Sequence, residues 1–339
     1  MKVAYWHNND DIRIEEVPTP KPEPKEILLK VISSGICGSD VVEWYRRPRA
    51  PLVLGHEIGA EVVEAGSSVS KFKVGDRVFA VPKVPCMDCY FCRNGHHPQC
   101  TEVKCRLPGG FAEYILVPEI YVDRGTYLLP ESISYDQSTF IEPMACVVRA
   151  QRLAGVKTGQ TIIVAGCGMS GLLHVKLAKT RNCRVVAADV NRSRLAFAER
   201  IGADLTMDAK AGVAEQFLAL SNKKADVIIL CTSAGSAAEQ AWSCVDKGGA
   251  IVFFAVPGPD KEVSVPVNDF WTKEVRILTS YYCGPTDIDA ALKLLESKII
   301  TVDDMITHRL PLKDIAKGFQ LVMDGRSSIK VIIKPHSFQ

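Results

Sequence analysis

The sequence has no run of basic residues, few aromatics (7%) and no apolar stretch near the about 18 residues that a membrane span requires. Lys+Arg 41 against Asp+Glu 39 leaves a formal charge of +2, so the electrostatic footprint of a nucleic-acid binder is missing. The opening residues, MKVAYWHNNDD, show no basic flank leading into an apolar stretch, so a cytoplasmic protein with no membrane partner is expected. There is no internal repeat and no low-complexity tract. Twelve cysteines in 339 residues are too sparse for a disulfide scaffold. What remains is ordinary globular usage, 47% hydrophobic and 24% charged, in a chain long enough for about two domains.

The first 140 residues read as short β-branched segments broken by Gly and Pro: 26–33, 57–64, 76–81 and 111–117. That texture predicts a mainly-β domain. From about residue 150 short apolar runs alternate with helical patterns: 161–165, then 172–180; 184–188, then 193–201; 225–231, then 236–245; and 250–256. Alternation at this spacing predicts βαβ units and a doubly wound parallel sheet, hence an α/β plus mainly-β fold. A helical pattern at 288–296 precedes a mixed tail that ends in a strand-like 329–333.

Gly166-Cys167-Gly168-Met169-Ser170-Gly171 follows an apolar strand, opens a helical pattern, and has Asp189 at the end of the next strand, 18 residues past Gly171. In that setting G-x-G-x-x-G predicts a dinucleotide loop. Gly166 permits the turn, Gly168 lets backbone approach a pyrophosphate, and Gly171 lets helix and strand meet, while Met169 and Ser170 open the helix that faces the anion. Asp189 is expected to accept hydrogen bonds from ribose hydroxyls and to repel the extra phosphate of NADP, so NAD is expected. Arg192 and Arg194 lie close enough to soften that repulsion.

Cys86, Cys89, Cys92 and Cys100 crowd four thiols into fifteen residues. Four sulfurs complete a tetrahedral shell and leave no open position, which predicts a structural zinc site holding a lobe at 86–105. An iron–sulfur cluster is the alternative reading of C-x2-C-x2-C, and His96 and His97 are spare donors within the lobe.

Gly35-Ile36-Cys37-Gly38-Ser39-Asp40 and Gly55-His56-Glu57 offer one soft and one borderline ligand, each beside a carboxylate, and Glu142-Pro143 precedes the second domain. One Cys, one His and one carboxylate suit a zinc site that keeps an exchangeable position, with Asp40 suited to hold the His56 ring in its metal-binding tautomer. Spacing alone does not join these segments.

Together with VGDRV at 74–78, GGFAEY at 109–114 and EPMACV at 142–147, these motifs make the whole chain resemble the zinc-containing medium-chain dehydrogenases, in the polyol (sorbitol) and threonine dehydrogenase branch. The resemblance implies a GroES-like catalytic domain at 1–146, a Rossmann coenzyme domain at 147–283 and a segment at 284–339 returning to the first. It implies one catalytic zinc on Cys37, His56 and Glu142, with Glu57 able to swing on or off and Cys146 as rival ligand. Ser39 is implied at the reacting oxygen, as the start of a proton relay. Thr232 and Val256 are implied near the nicotinamide half.

Many relatives carry a histidine five positions after the cysteine, where this chain has Val42. A proton must then leave through Ser39 and the coenzyme ribose, through Glu43, or through water. The loop before Gly55 is short and rich in arginine. Either one of Arg46, Arg47 and Arg49 faces the cleft and binds an anionic substituent, or the loop is a solvated or intersubunit basic surface. The expected activity is NAD-linked, zinc-dependent oxidation of a secondary alcohol in a polyol or sugar derivative. A threonine-type or simple alcohol dehydrogenase is the alternative, and a catalytically silent NAD- and zinc-binding protein is the alternative of another class. The expected partners are a small-molecule alcohol and further copies of the chain, as a homotetramer or homodimer.

Overall fold

Residues 1–336 are described in the computed structural model. Their contacts separate two units, Met1–Pro143 with the segment from Cys283 onward, and Met144–Tyr282. The division falls inside one helix, Ile141–Ala154.

The first unit is β-rich, as its β-branched segments predict. Its strands before residue 143 are β1 (Lys2–Asn8), β2 (Asp11–Glu16), β3 (Ile27–Gly35), β4 (Leu52–Val53), β5 (Glu57–Ala65), β6 (Arg77–Ala80), β7 (Tyr114–Val117) and β8 (Thr126–Leu128). β1 and β2 form a hairpin to which β4 adds. The hairpin is absent from the sequence reading because β2 is largely exposed and its alternation is carried by Ile12 and Ile14 alone, too short a pattern to stand out.

The second unit has the six parallel strands β9 (Thr161–Ala165), β10 (Arg184–Asp189), β11 (Leu205–Asp208), β12 (Ala225–Leu230), β13 (Val245–Phe253) and β14 (Arg276–Thr279). Their order is β11-β10-β9-β12-β13-β14. Strand order therefore reverses between β9 and β12, the place where doubly wound sheets open a ligand crevice. β9 is buried on both faces, which is why it reads as an unbroken apolar run.

The chain returns to the first unit with β15 (Ile306–Pro311), the helix Ile315–Asp324 and β16 (Lys330–Lys334). The large sheet there runs β15-β16-β3-β5-β6-β8, with β7 also paired to β3. Two registers position the site. Antiparallel β3 and β5 pair Gly35 with Glu57, and β16 pairs Ile332 with Gly35. Cys37, His56, Glu57 and Lys330 thus meet at one end of three strands.

Candidate active site and metal centres

In the 86–105 lobe the sulfurs of Cys86, Cys89, Cys92 and Cys100 all lie within 4.8 Å of one another. Cys86 Sγ and Cys92 Sγ are 3.8 Å apart, too far for a disulfide and equal to the edge of a tetrahedron with sulfur–zinc bonds of about 2.3 Å. An iron–sulfur cluster has several irons to enclose and needs a wider cage. Backbone N–H groups already point at the sulfurs, from Cys86 to Cys100 Sγ at 3.2 Å and from Cys89 to Cys86 Sγ at 3.1 Å. At Cys100 burial opposes ionisation, but amides of Val103, Cys86 and Glu102 outweigh it and bring the thiol down to about 6, whereas burial pushes Cys92 up to about 12. The donor set fits one tetrahedral ion. Neither His96 nor His97 joins it among the described residues.

The second cluster is Cys37, His56 and Glu57, again within 4.8 Å. Fully buried Asp40 ties it together: one oxygen accepts the Cys37 N–H at 3.0 Å, and the other lies 3.2 Å from His56 Nδ1. With Nδ1 engaged, Nε2 is the nitrogen left for a metal. Burial resists a charge on His56, yet the Asp40 carboxylate and the Cys37 sulfur overcome it and hold its pKa well above the usual value. Burial likewise works against ionised Asp40, but His56 and Arg46 win and keep its pKa low.

Glu57 is buried, and one of its oxygens bonds the ammonium of Lys330, a fully buried lysine 273 positions away in the chain. Its other oxygen, Oε1, is buried with no hydrogen-bond partner. An orphaned carboxylate oxygen beside a thiol and an imidazole is the donor that a divalent ion would satisfy. The residues present fit zinc.

Glu142, implied by the resemblance as a third ligand, falls in a separate group of possible donors. It opens the helix Ile141–Ala154, where its carboxylate comes within 4.8 Å of Cys283, and Cys146 follows one turn later. The pairing of Gly35 with Glu57 delivers the Glu57 carboxylate beside Cys37, where the resemblance implied a residue able to swing on or off the metal.

Ser39 Oγ lies 3.3 Å from Cys37 Sγ and accepts a hydrogen bond from Arg46 Nη2 at 2.7 Å. Arg46 is one of the three arginines considered for a substrate anion. Instead it is buried, and it also donates to Asp40 at 3.0 Å. Arg49 donates to the Tyr45 carbonyl, and Arg47 is exposed 3.9 Å from Glu43. Glu43 accepts the Asn9 N–H at 2.9 Å.

In the second unit the glycine loop joins β9 to the helix Met169–Thr180, with Gly168 at its N-cap. Gly166 has φ +96, and a Cβ there would meet the Cys231 carbonyl at 2.9 Å; a Cβ on Gly171 would strike the Gly166 carbonyl. Asp189 ends β10 and accepts backbone N–H groups from Cys167 at 2.6 Å and Asn191 at 2.8 Å, with Arg194 Nη1 4.0 Å away. A cavity of about 260 Å³ is lined by Gly166, Gly168, Asp189, Arg194, Thr232 and Gln240. Its floor fits a dinucleotide: glycines where side chains would clash, a helix N-terminus, and a carboxylate at the next strand end. Val256 is exposed and outside this lining. Gln240 carried no sequence signal, because it comes from a helix after the reversal in strand order.

The alcohol dehydrogenase GroES-like domain family matches residues 23–128, and the zinc-binding dehydrogenase family matches residues 171–297. The chain belongs to the zinc-binding dehydrogenases. It is 32% identical to the erythritol/L-threitol dehydrogenase of Mycolicibacterium smegmatis, over 99% of this chain and 98% of that one. It is also 32% identical to the sorbitol dehydrogenase of Gallus gallus, over 97% of this chain and 94% of that one. Among solved structures it is similar to a Sinorhizobium meliloti 1021 protein described as a zinc-binding dehydrogenase and solved bound to NADP, with a TM-score of 0.88, 29% identity, and coverage of 98% and 99% of the two chains. The expected fold and the expected place in the polyol branch are borne out.

Proposed function

We propose that the protein is an NAD(P)-linked, zinc-dependent dehydrogenase that interconverts a secondary alcohol of a neutral polyol with its ketone, with NAD preferred. The observation that carries this reading is the Cys37–His56–Glu57 cluster with an unpartnered carboxylate oxygen, in a chain whose coenzyme cavity ends at Asp189. The polyol names of both relatives support the substrate class.

When bound, zinc supplies a Lewis acid for the alcohol oxygen, and the coenzyme supplies the hydride acceptor. The chain's own residues do the rest. Cys37, His56 and Glu57 hold the metal, with Glu142 in reserve, and Asp40 fixes the His56 ring. Lys330 pairs with the buried Glu57 and balances its charge. Ser39 presents its hydroxyl to the reacting oxygen. Asp189 binds the adenosine ribose, and the first turn at Met169–Gly171 receives the pyrophosphate, with Arg194 and Thr232 alongside. Cys86, Cys89, Cys92 and Cys100 hold a second, structural zinc. We assign metal chemistry to residues 1–143 with the returning segment, and coenzyme binding to 144–282.

A neutral polyol is favoured over an anionic one because Arg46 and Arg49 are committed to Ser39, Asp40 and Tyr45. Proton release through Glu43 is disfavoured because that carboxylate turns to Asn9 and Arg47. Water or the coenzyme ribose remains.

No helix among the described residues is long and apolar enough to cross a membrane; we place the protein in the cytoplasm. We infer a homodimer or homotetramer, supported by β14, an outer strand with Arg276, Ile277 and Thr279 exposed, and by exposed Val267 and Trp271 just before it. Light scattering of the purified protein tests this, and a monomer at micromolar concentration would refute it.

The test of function is NADH formation from NAD by zinc-loaded protein across neutral polyols, sugar phosphates, threonine and simple alcohols, with Cys37→Ser as control. Turnover of neutral polyols that vanishes in the control is expected. Turnover confined to another class would move the substrate, and none at all, at full zinc content, would refute the enzyme.

A further inference from the structure

We infer that Arg46 is a positioning residue of the Cys37–His56–Glu57 cluster: one guanidinium clamps the Ser39 hydroxyl and the Asp40 carboxylate, making Ser39 a fixed hydrogen-bond donor rather than the first carrier of a proton relay. This rests on the reading of that cluster as a metal site.

Arg46 ends the short helix Glu43–Arg46 and is the one buried residue in it. Its side chain folds back along the chain, so that Nε donates to the Ser39 carbonyl at 3.0 Å while Nη2 donates both to Ser39 Oγ at 2.7 Å and to Asp40 Oδ1 at 3.0 Å. The guanidinium also lies over the Tyr45 ring, 4.8 Å from its centre, which fixes the plane of the fork. Asp40 in turn holds the Cys37 amide and the His56 ring. One cation therefore stands a single group away from both the thiol and the imidazole.

The chemistry of Ser39 follows from counting. A hydroxyl has one hydrogen and two lone pairs. Arg46 takes one lone pair, and the hydrogen is within reach of Cys37 Sγ at 3.3 Å. A hydroxyl beside a fixed cation is a poor proton acceptor. Arg46 cannot carry a proton onward, since it stays charged at every working pH, and Val42 has no group to do so. The second lone pair stays open, so the count alone permits acceptance; the adjacent cation is what turns Ser39 towards donation, its one hydrogen swinging from Cys37 Sγ to the reacting oxygen. Lysine would keep the charge but lose the planar fork that reaches both oxygens.

The experiment uses full-length protein with zinc in the four-cysteine lobe and cobalt in the Cys37 cluster, comparing wild type, Arg46→Gln, Arg46→Lys and Val42→His. Cobalt affinity is read by chelator competition, geometry by the visible bands of the cobalt–thiolate centre, and catalysis by kcat and KM. Arg46→Gln is expected to lose about 10- to 100-fold in cobalt affinity and in kcat, with shifted bands and an unchanged KM for NAD. Arg46→Lys is expected to recover part of the affinity but not the band positions, and it carries the spectroscopic test should Arg46→Gln fail to fold. Val42→His is expected to leave kcat unchanged. Bands and affinity identical to wild type in Arg46→Gln, or in Arg46→Lys should that variant be the one tested, would overturn the clamp. A tenfold rise in kcat in Val42→His would restore the relay, because an acid–base exit is worth about 10²–10⁴-fold. If wild type oxidises no polyol, the proposed function fails while the cobalt spectra still decide the role of Arg46.

Discussion

The two metal centres are built in opposite ways. The four-cysteine lobe draws its donors from fifteen consecutive residues, and its backbone amides already face the sulfurs. The Cys37 cluster draws its donors from two loops joined by the β3–β5 register and balances its charge with a lysine on β16. A local site is specified by spacing and is closed. An assembled site is specified by a sheet, and it brings together only three donors, Cys37, His56 and Glu57, so a four-coordinate ion held there would keep one exchangeable position.

The widest separation between the two should come from single cysteine changes. Cys37→Ser is expected to abolish turnover while the protein keeps its fold and the lobe keeps one zinc per chain. Cys100→Ser is expected to empty the lobe and expose 86–105 to protease, because the lobe has few apolar residues with which to hold itself. Metal analysis with limited proteolysis reads both. Equal loss of zinc from both variants would show that the centres are not independent.

Lys330→Met sharpens the comparison from the charge side. It strands Glu57 as an uncompensated buried anion, a change worth about 3–5 kcal/mol in denaturant unfolding of metal-free protein. Saturating zinc should return much of that loss, since the metal replaces the missing cation. A variant as stable as wild type without metal would mean that Glu57 is neutral there.

Asp189→Ser tests the coenzyme cavity, which uses no metal. Removing the carboxylate is expected to raise the NADP-to-NAD ratio of kcat/KM by about 10- to 100-fold, since the charge that repels the extra phosphate is gone and Arg194 remains. An unchanged ratio would place coenzyme choice elsewhere.

The smallest effect at neutral pH is expected from His174, fully buried on the helix after the glycine loop, with its ring perpendicular to that of Phe254. Burial lowers its pKa to about 3. The unfolded chain takes up its proton near 6.5 and the folded chain only near 3, so stability is full above pH 6.5 and declines as pH falls between those values, by about 1.4 kcal/mol per pH unit. His174→Gln should flatten that slope in urea unfolding. An unchanged slope would assign it to other groups.

Legibility followed the same division. The glycine loop, Asp189 and the four cysteines could be read directly, because each function is carried by residues close in the chain or by a strand–loop–helix whose periodicity is visible. Cys37 and His56 could be read as metal donors by residue type, and resemblance was needed to join them. Glu142 and a movable Glu57 came from the resemblance alone, because residue type cannot rank two carboxylates; the register opposite Gly35 is what puts Glu57 beside Cys37. Arg46, Arg47 and Arg49 could not be told apart in a short arginine-rich loop, and only the turn back onto Ser39 and Asp40 reveals that Arg46 is buried. Lys330 gave no signal, since a lysine in a strand is ordinarily a surface residue.

By itself, then, the sequence determined which residues are able to bind a metal or a dinucleotide, and it determined the architecture, because hydrophobic period and glycine placement act over a few residues. Which carboxylate meets Cys37, which cation meets that carboxylate, and where Arg46 directs its charge were decided by tertiary structure. Those contacts bridge strands far apart in the chain, and their energies depend on burial, which exists only once the sheet has formed.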